Sequence, residues 1–105
     1  MAVIEITNEN FDAKVLNEKK PVLLDFFAVW CGPCQMLSPI VDEIGEEKDD
    51  IVVGKINVDD QPELANAFGV SSIPTLVVMK DGKEAARSVG LRSKEQVLAL
   101  LCSEY

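Results

Sequence analysis

Two cysteines, Cys31 and Cys34, are the side chains of this 105-residue sequence best suited to chemistry. They flank Gly32 and Pro33 where an apolar strand pattern gives way to a helical one, and a pair at this spacing can close a small disulfide ring. Only a thiolate attacks a disulfide sulfur, and the positive end of a helix stabilises an anion by about 0.3–2 kcal/mol. We therefore expect Cys31, at the helix start, to be the nucleophile of a redox-active dithiol and Cys34, in the first turn, to be the resolving thiol.

The alternatives for this pair are a structural disulfide and half of a metal site. A structural disulfide is unusual in a reducing cytosol. A closed zinc site needs four ligands, whereas the chain has only one further cysteine, Cys102, and no histidine. The lack of histidine also excludes His-dependent nucleophile triads, and we predict no metal-binding or cofactor-binding residues. Cys102 is expected to be a small buried apolar residue on the last helix, with a regulatory or dimer-forming thiol as the alternative.

Asp25 is the second residue that points to chemistry, because it interrupts an apolar run between Leu24 and Phe26. Burial disfavours the ionised form and should raise the pKa of this carboxyl. Beneath a dithiol, such a group can accept the proton of the resolving cysteine through a water molecule. The alternative is an aspartate at the end of the sheet that is simply exposed to water.

The elements that must position these residues follow from the apolar spacing. Strands are predicted at 3–6, 22–28, 51–58, 75–79 and 84–89, and Asp81-Gly82 favours a tight hairpin between the last two. Helical stripes lie between the strands and after the last one. Their apolar members are Phe11, Val15 and Leu16; Leu37, Ile40, Val41 and Ile44; Leu64 and Phe68; and Val97, Leu98 and Leu101. The predicted caps are Thr7 or Asn8, Asp60 with Glu63, and Ser93 with Gln96.

The resulting order, βαβαβαββα, predicts an α/β fold. Its first half requires parallel crossovers and its hairpin requires an antiparallel pair, so we expect a mixed five-stranded sheet with four helices on both faces. The length suits a single domain spanning residues 1–105.

Composition narrows the function classes. The net charge is −8, so a nucleic acid or an anionic membrane is a poor partner. No apolar run approaches the roughly 18–20 residues that span a bilayer. The first residues lack the features of a signal peptide, and we expect a cytoplasmic protein.

Several segments together resemble the thioredoxin family in order and spacing, over roughly residues 3 to 103. They are Asp25-Phe26-Phe27-Ala28-Val29-Trp30-Cys31-Gly32-Pro33-Cys34, Pro39, Lys55-Ile56-Asn57-Val58-Asp59, Ile73-Pro74-Thr75 and Val89-Gly90. The resemblance implies the thioredoxin fold. Two positions depart from the family pattern: Phe27 stands where tryptophan is usual, and Gln35 stands where lysine or arginine commonly follows the motif.

The resemblance also implies roles for further residues. The Ile73–Pro74 bond is expected to be cis and to face the dithiol, where the Ile73 backbone would pair with an extended substrate; a trans proline is the alternative. Lys55 is expected near Asp25, with an outward-facing lysine as the alternative. A substrate-binding surface beside Cys31 would comprise Trp30, Gly32, Pro33, Ile73, Pro74 and Gly90, although Trp30 could instead be packed in the core.

As a function, the resemblance implies a general protein-disulfide reductase that carries electrons and maintains cell redox homeostasis. The implied partners are a thioredoxin reductase, or a ferredoxin-linked one, and target proteins such as ribonucleotide reductase, peroxiredoxin and methionine sulfoxide reductase. A monomer is expected. Two other functions stay open: an oxidase or isomerase of a secreted compartment, and a non-catalytic binding or processivity subunit that uses the apolar surface around Trp30 and Pro74.

Overall fold

Strand β2 (Val22–Phe27) lies at the centre of the sheet because its residues are apolar on both faces. Its first five residues are buried, as are most of those in the neighbouring strands. The computed structural model describes residues 3–102 and contains five strands in the order β1-β3-β2-β4-β5. The other four are β1 (Val3–Glu5), β3 (Val52–Asn57), β4 (Thr75–Lys80) and β5 (Lys83–Val89).

The strand pairing confirms the predicted mixed sheet. β3 runs parallel to both β1 and β2, whereas β4 is antiparallel to β2 and β5. Asp81 and Gly82 adopt positive φ angles of 53° and 77°, as expected of a tight turn that joins twisted antiparallel strands.

Within residues 3–102, four helical elements cover the two faces, as predicted. They are a π-helical segment (Asp12–Leu16), α1 (Gly32–Glu47), α2 (Pro62–Ala67) and α3 (Lys94–Leu101). α1 and α3 pack on one face, where Leu37, Val41 and Val97 join Leu23 of β2. The π-helical segment and α2 pack on the other face, where Val15 and Leu64 join Phe26. None of the helices within residues 3–102 combines the length and apolar character needed to cross a bilayer.

The structure confirms one of the predicted capping boxes and contradicts the other. The capping box of α3 is confirmed, since Ser93 and Gln96 exchange both side chain–backbone hydrogen bonds. The prediction for α2 is wrong: Gln61 is the N-cap, and Glu63 instead accepts a hydrogen bond from Asn8 at 2.8 Å.

The first helical element also begins later than predicted, at Asp12 with Phe11 as its cap residue. Thr7 and Asn10 hydrogen-bond each other's backbone N–H groups and form a turn ahead of it. Leu16, at the end of the predicted apolar stripe, is exposed.

The expectation that Cys102 is buried is wrong. Cys102 is the C-cap residue of α3 and its side chain is exposed. Val97 and Leu101 occupy the buried stripe of this helix, and one further residue turns the chain about 100° away from that stripe.

Candidate active site

The dithiol sits where β2 ends and α1 begins. Cys31 is the N-cap residue of α1, and its Sγ accepts a hydrogen bond from the Cys34 backbone N–H at 3.2 Å. The two sulfurs are joined as a disulfide, with the Cα atoms 5.2 Å apart. Both side chains are nearly buried, at 5% exposure for Cys31 and 3% for Cys34.

The start of α1 favours negative charge at the Cys31 sulfur. The N–H groups of the first turn point toward it, and the helix dipole places partial positive charge there. No acidic residue lies in this first turn to oppose that effect. Gly32 and Pro33, the first two residues of the helix, are exposed beside the disulfide.

A second loop approaches the dithiol from the β4 side. The Ile73–Pro74 peptide bond is cis, as expected from the resemblance, and the Ile73 carbonyl oxygen lies 3.9 Å from Cys31 Sγ. Ile73 packs against the small apolar cluster formed by Ala28, Cys31 and Cys34. The Gly90 N–H donates to the Pro74 carbonyl at 2.8 Å, and the φ of Gly90 is +96°, a conformation that favours glycine. Cys31, Ile73, Pro74 and Gly90 thus meet in one place.

Trp30 points away from the core, so the alternative that it packs inside the protein is wrong. Its side chain is 69% exposed, and its indole Nε1 donates a hydrogen bond to Asp59 Oδ2 at 2.8 Å. Asp59 follows β3, and sequence reasoning assigned it no role at the site. Because Phe27 replaces the tryptophan that is usual at that position, Trp30 is the only tryptophan of the chain.

Asp25 is buried beneath the dithiol, as its apolar neighbours predict. Its side chain is 1% exposed and lies on the sheet face that α1 covers. Oδ1 has no hydrogen-bond partner among residues 3–102. Burial raises the pKa of Asp25 to about 6; Lys55 opposes this shift and Asp42 adds to it. The alternative of a water-exposed carboxylate at the sheet end is therefore wrong.

A cavity of about 240 Å³ connects Asp25 to the dithiol. It has room for several water molecules, which can relay a proton between groups that do not touch. Its lining includes Cys34 and Lys55, so the carboxyl, the resolving thiol and the cation share one space. The other lining residues are Phe27, Ala28, Val29, Gln35 and Ser38.

Lys55 lies opposite Asp25 in the pairing of β2 with β3. Its ammonium group binds α1 rather than Asp25: Nζ is 2.7 Å from Asp42 Oδ1 and 2.5 Å from Ser38 Oγ. Sequence reasoning missed Ser38 and Asp42. The spacing of these two residues could have indicated them, because positions 34, 38 and 42 lie four residues apart and share a helix face with the resolving cysteine.

The geometry is that of a dithiol with a helix start on one side and a buried carboxyl below it, and the sequence comparison agrees with it. The model of the Thioredoxin family matches residues 2–103. The chain belongs to the thioredoxin family.

Individual members of the thioredoxin family are similar to this chain over 90% or more of its length. The thioredoxin of Chlamydia caviae is 46% identical over 96 residues, which cover 91% of this chain and 92% of that protein. The thioredoxin of Pyropia yezoensis is 45% identical over 102 residues, covering 96% and 95%. A bifunctional thioredoxin reductase/thioredoxin of Mycobacterium leprae is 45% identical over 96 residues, which cover 90% of this chain and 21% of that longer protein.

Gln35, one of the departures from the thioredoxin family pattern, has a structural role here. Its side-chain Nε2 donates to the Val29 carbonyl oxygen at 2.7 Å, which ties the first turn of α1 to the loop after β2. A lysine or arginine at this position would add a positive charge near the sulfurs. Without that charge, stabilisation of the dithiol's thiolate depends more on the helix start than it would with lysine or arginine at position 35.

Proposed function

We propose that this protein is a general protein-disulfide reductase that supplies electrons to target proteins through Cys31 and Cys34. One observation carries the proposal: the sulfur of Cys31 is held at the N-terminus of α1, within 3.9 Å of the Ile73 carbonyl of the neighbouring cis-proline loop. The nucleophilic sulfur therefore lies beside backbone that an extended substrate can pair with.

The reaction is a two-step exchange. The Cys31 thiolate attacks one sulfur of the substrate disulfide; that disulfide breaks, a mixed disulfide forms, and the released substrate thiolate takes a proton. Cys34 then passes its proton through water in the cavity to ionised Asp25 and attacks the Cys31 sulfur. The mixed disulfide breaks, the Cys31–Cys34 disulfide forms, and the second substrate sulfur leaves as a thiolate that takes a proton from water. Two electrons pass from the chain to the substrate.

The proposed substrate-binding surface surrounds the Cys31 sulfur. An extended segment would lie along the Ile73 backbone, with Pro74 and Gly90 on one side and Gly32 and Pro33 on the other. Trp30 would contact its apolar side chains, since a large exposed aromatic ring is typical of a binding surface. Lys55 would tune the acidity of Asp25 from within the cavity.

The oxidised protein must be reduced again, and we propose a thioredoxin reductase as the electron donor. The relative from Mycobacterium leprae supports this pairing, because its name joins the two activities in one chain. The proposed targets are proteins such as ribonucleotide reductase, peroxiredoxin and methionine sulfoxide reductase. We further propose that residues 1–105 act as one domain, as a monomer and in the cytoplasm.

Insulin reduction by dithiothreitol or by a thioredoxin reductase tests the reaction. Cys31→Ser and Cys34→Ser should each abolish catalysed turnover, and Cys34→Ser should also retain targets as mixed disulfides. Cys102→Ser is the matched control, because it removes an exposed thiol outside the dithiol and should retain full activity. If Cys31→Ser together with Cys34→Ser left the biological function intact, the protein would be a binding subunit instead.

Equilibration with glutathione separates the reductase from an oxidase or isomerase. A reductase should have a potential below the cytosolic glutathione poise of about −220 to −260 mV. A potential above that range would favour the oxidase.

A further inference from the structure

The ammonium group of Lys55 binds to α1 and not to the carboxyl that faces it. Its only ion pair within residues 3–102 is with Asp42, and Ser38 accepts a further hydrogen bond. Asp25 is opposite Lys55 in the sheet and lines the same cavity, yet its Oδ1 is without a hydrogen-bond partner in that part of the chain. Two opposite charges that share one cavity are thus kept from pairing.

We propose that Asp42 is a positioning residue for the resolving step: it holds the Lys55 ammonium against α1 and so leaves Asp25 free to take the Cys34 proton. The inference rests on the proposed function, since only a dithiol that must lose the Cys34 proton needs such a base. Asp42 touches neither sulfur and acts entirely through Lys55 and Asp25.

The charges around Asp25 support this role. Lys55 faces it from β3, Cys34 and Asp42 belong to α1, and its β4 partner Leu76 is apolar. A carboxylate in a direct ion pair is stabilised and becomes a weaker base, whereas a buried carboxylate without a partner binds a proton more tightly. Asp42 strengthens Asp25 as a base in two ways: by its own negative charge and by holding Lys55.

Helix geometry explains how α1 can carry the resolving thiol and also hold Lys55. Cys34, Ser38 and Asp42 are spaced by four residues and therefore lie along one face of α1. The same helix that carries the resolving thiol also carries both groups that bind Lys55. Asp42 is exposed, so its carboxylate can be changed without disturbing the core.

Carbon-13 NMR of labelled aspartate in the oxidised protein tests the proposal directly. Neither cysteine of the disulfide titrates in that state, so the Asp25 carboxyl is read without any reductase activity. Asp42→Asn should lower the pKa of Asp25 below its value of about 6, because Lys55 can then turn toward it. Asp42→Glu should restore the original value.

Glu43→Gln is the matched control, since it removes the same charge from the next residue of α1. Glu43 pairs with Lys94 at 2.8 Å and does not bind Lys55, so the Asp25 titration should stay unchanged. Lys55→Met provides the second arm. In the Lys55→Met background, Asp42→Asn should shift the Asp25 titration by less than half of the shift that it causes when Lys55 is present. The reason is that the ammonium group held by Asp42 is gone.

Two results would overturn the proposal. In one, Asp42→Asn shifts the Asp25 titration no more than Glu43→Gln does. In the other, Asp42→Asn shifts the Asp25 titration equally with and without Lys55, which would mean that Asp42 acts by its own charge alone. Either result would leave the insulin assay untouched, whereas loss of the proposed function would appear in that assay and not in this titration.

Discussion

The indole Nε1 of Trp30 donates a hydrogen bond to Oδ2 of Asp59 at 2.8 Å, and this bond joins the loop before the dithiol to the loop after β3. Asp59 is itself fixed, because its backbone N–H donates to the Asn57 side chain at 2.9 Å. An exposed tryptophan would otherwise sample several orientations. The hydrogen bond therefore orders the aromatic ring next to Cys31 before a substrate arrives.

Replacing Asp59 with alanine tests that ordering. The loss of a hydrogen bond worth about 1 kcal/mol should raise the KM for insulin about fivefold. The rate with a small disulfide that does not contact Trp30 should stay the same. Asp60→Ala is the control, because Asp60 is the adjacent exposed aspartate and the Trp30 indole donates its hydrogen bond to Asp59 instead. Equal effects on insulin and on the small disulfide would contradict the prediction. Fluorescence of Trp30 reports the change, since no other tryptophan contributes.

Asp25→Asn should stabilise the protein at neutral pH. The pKa of Asp25 is about 6 when folded and near 3.8 when unfolded, so between these values the folded state binds more protons and stability falls as pH rises. The penalty is absent below about pH 3.8 and complete above about pH 6. It amounts to about 3 kcal/mol, so Asp25→Asn should exceed the wild type by about that amount at pH 7.5.

Urea unfolding of the oxidised protein at pH 7.5 and pH 4 measures this difference. The gain should shrink toward zero at the lower pH, where the wild-type carboxyl is already neutral in the folded state. Asp60→Asn, which changes an exposed carboxylate, should show little gain at either pH. A gain of the same size at both values would show that burial of the Asp25 charge is not its cause.

Ser93→Ala should destabilise the protein by about 1 kcal/mol, because it removes the acceptor for the Gln96 N–H at the start of α3. This helix packs on α1 through Val97 and Leu101, so the loss should appear in the global unfolding transition. Ser71→Ala, at an exposed position outside any helix, is the control. An unchanged urea midpoint for Ser93→Ala would argue against the capping box as a source of stability.

Gly90→Ala should destabilise the loop beside Pro74. A side chain at φ +96° is strained by about 1–2 kcal/mol, even though an added Cβ would meet only the Arg92 side chain at 3.5 Å. Gly32→Ala is the matched control for stability, since its Cβ would meet nothing within 4 Å and its φ is not positive. Thermal unfolding should separate the two, and similar Tm values would contradict the prediction.

The sequence predicted the sheet well because its strands carry strong and redundant signals. β2 is mostly apolar on both faces, which is typical of a central strand, and Asp81-Gly82 strongly favours a tight turn. The helix starts were less predictable. Asn57 accepts the backbone N–H groups of Asp60 and Gln61, so this turn delays α2 by one residue and removes Asp60 from the cap position.

The candidate site was predictable where residue type alone limits the chemistry. Cys31, Cys34 and Asp25 stand out because a closely spaced thiol pair and a carboxylate within an apolar strand rarely serve packing alone. Asp42 did not stand out, because it is one of several acidic residues on α1. Which of them meets Lys55 depends on how the helix is rotated against β3, and local spacing does not determine that rotation.

The 5% exposure of the Cys31 side chain has a consequence for the choice of partner. A sulfur this deeply set can be reached only by a target whose own disulfide lies on a protruding or locally unfolded stretch. If the protein acts as the proposed reductase, we therefore expect it to spare rigid, well-covered disulfides even where their potential would allow reduction. Mechanical compliance of the partner, as much as its potential, should decide which bonds such a reductase opens.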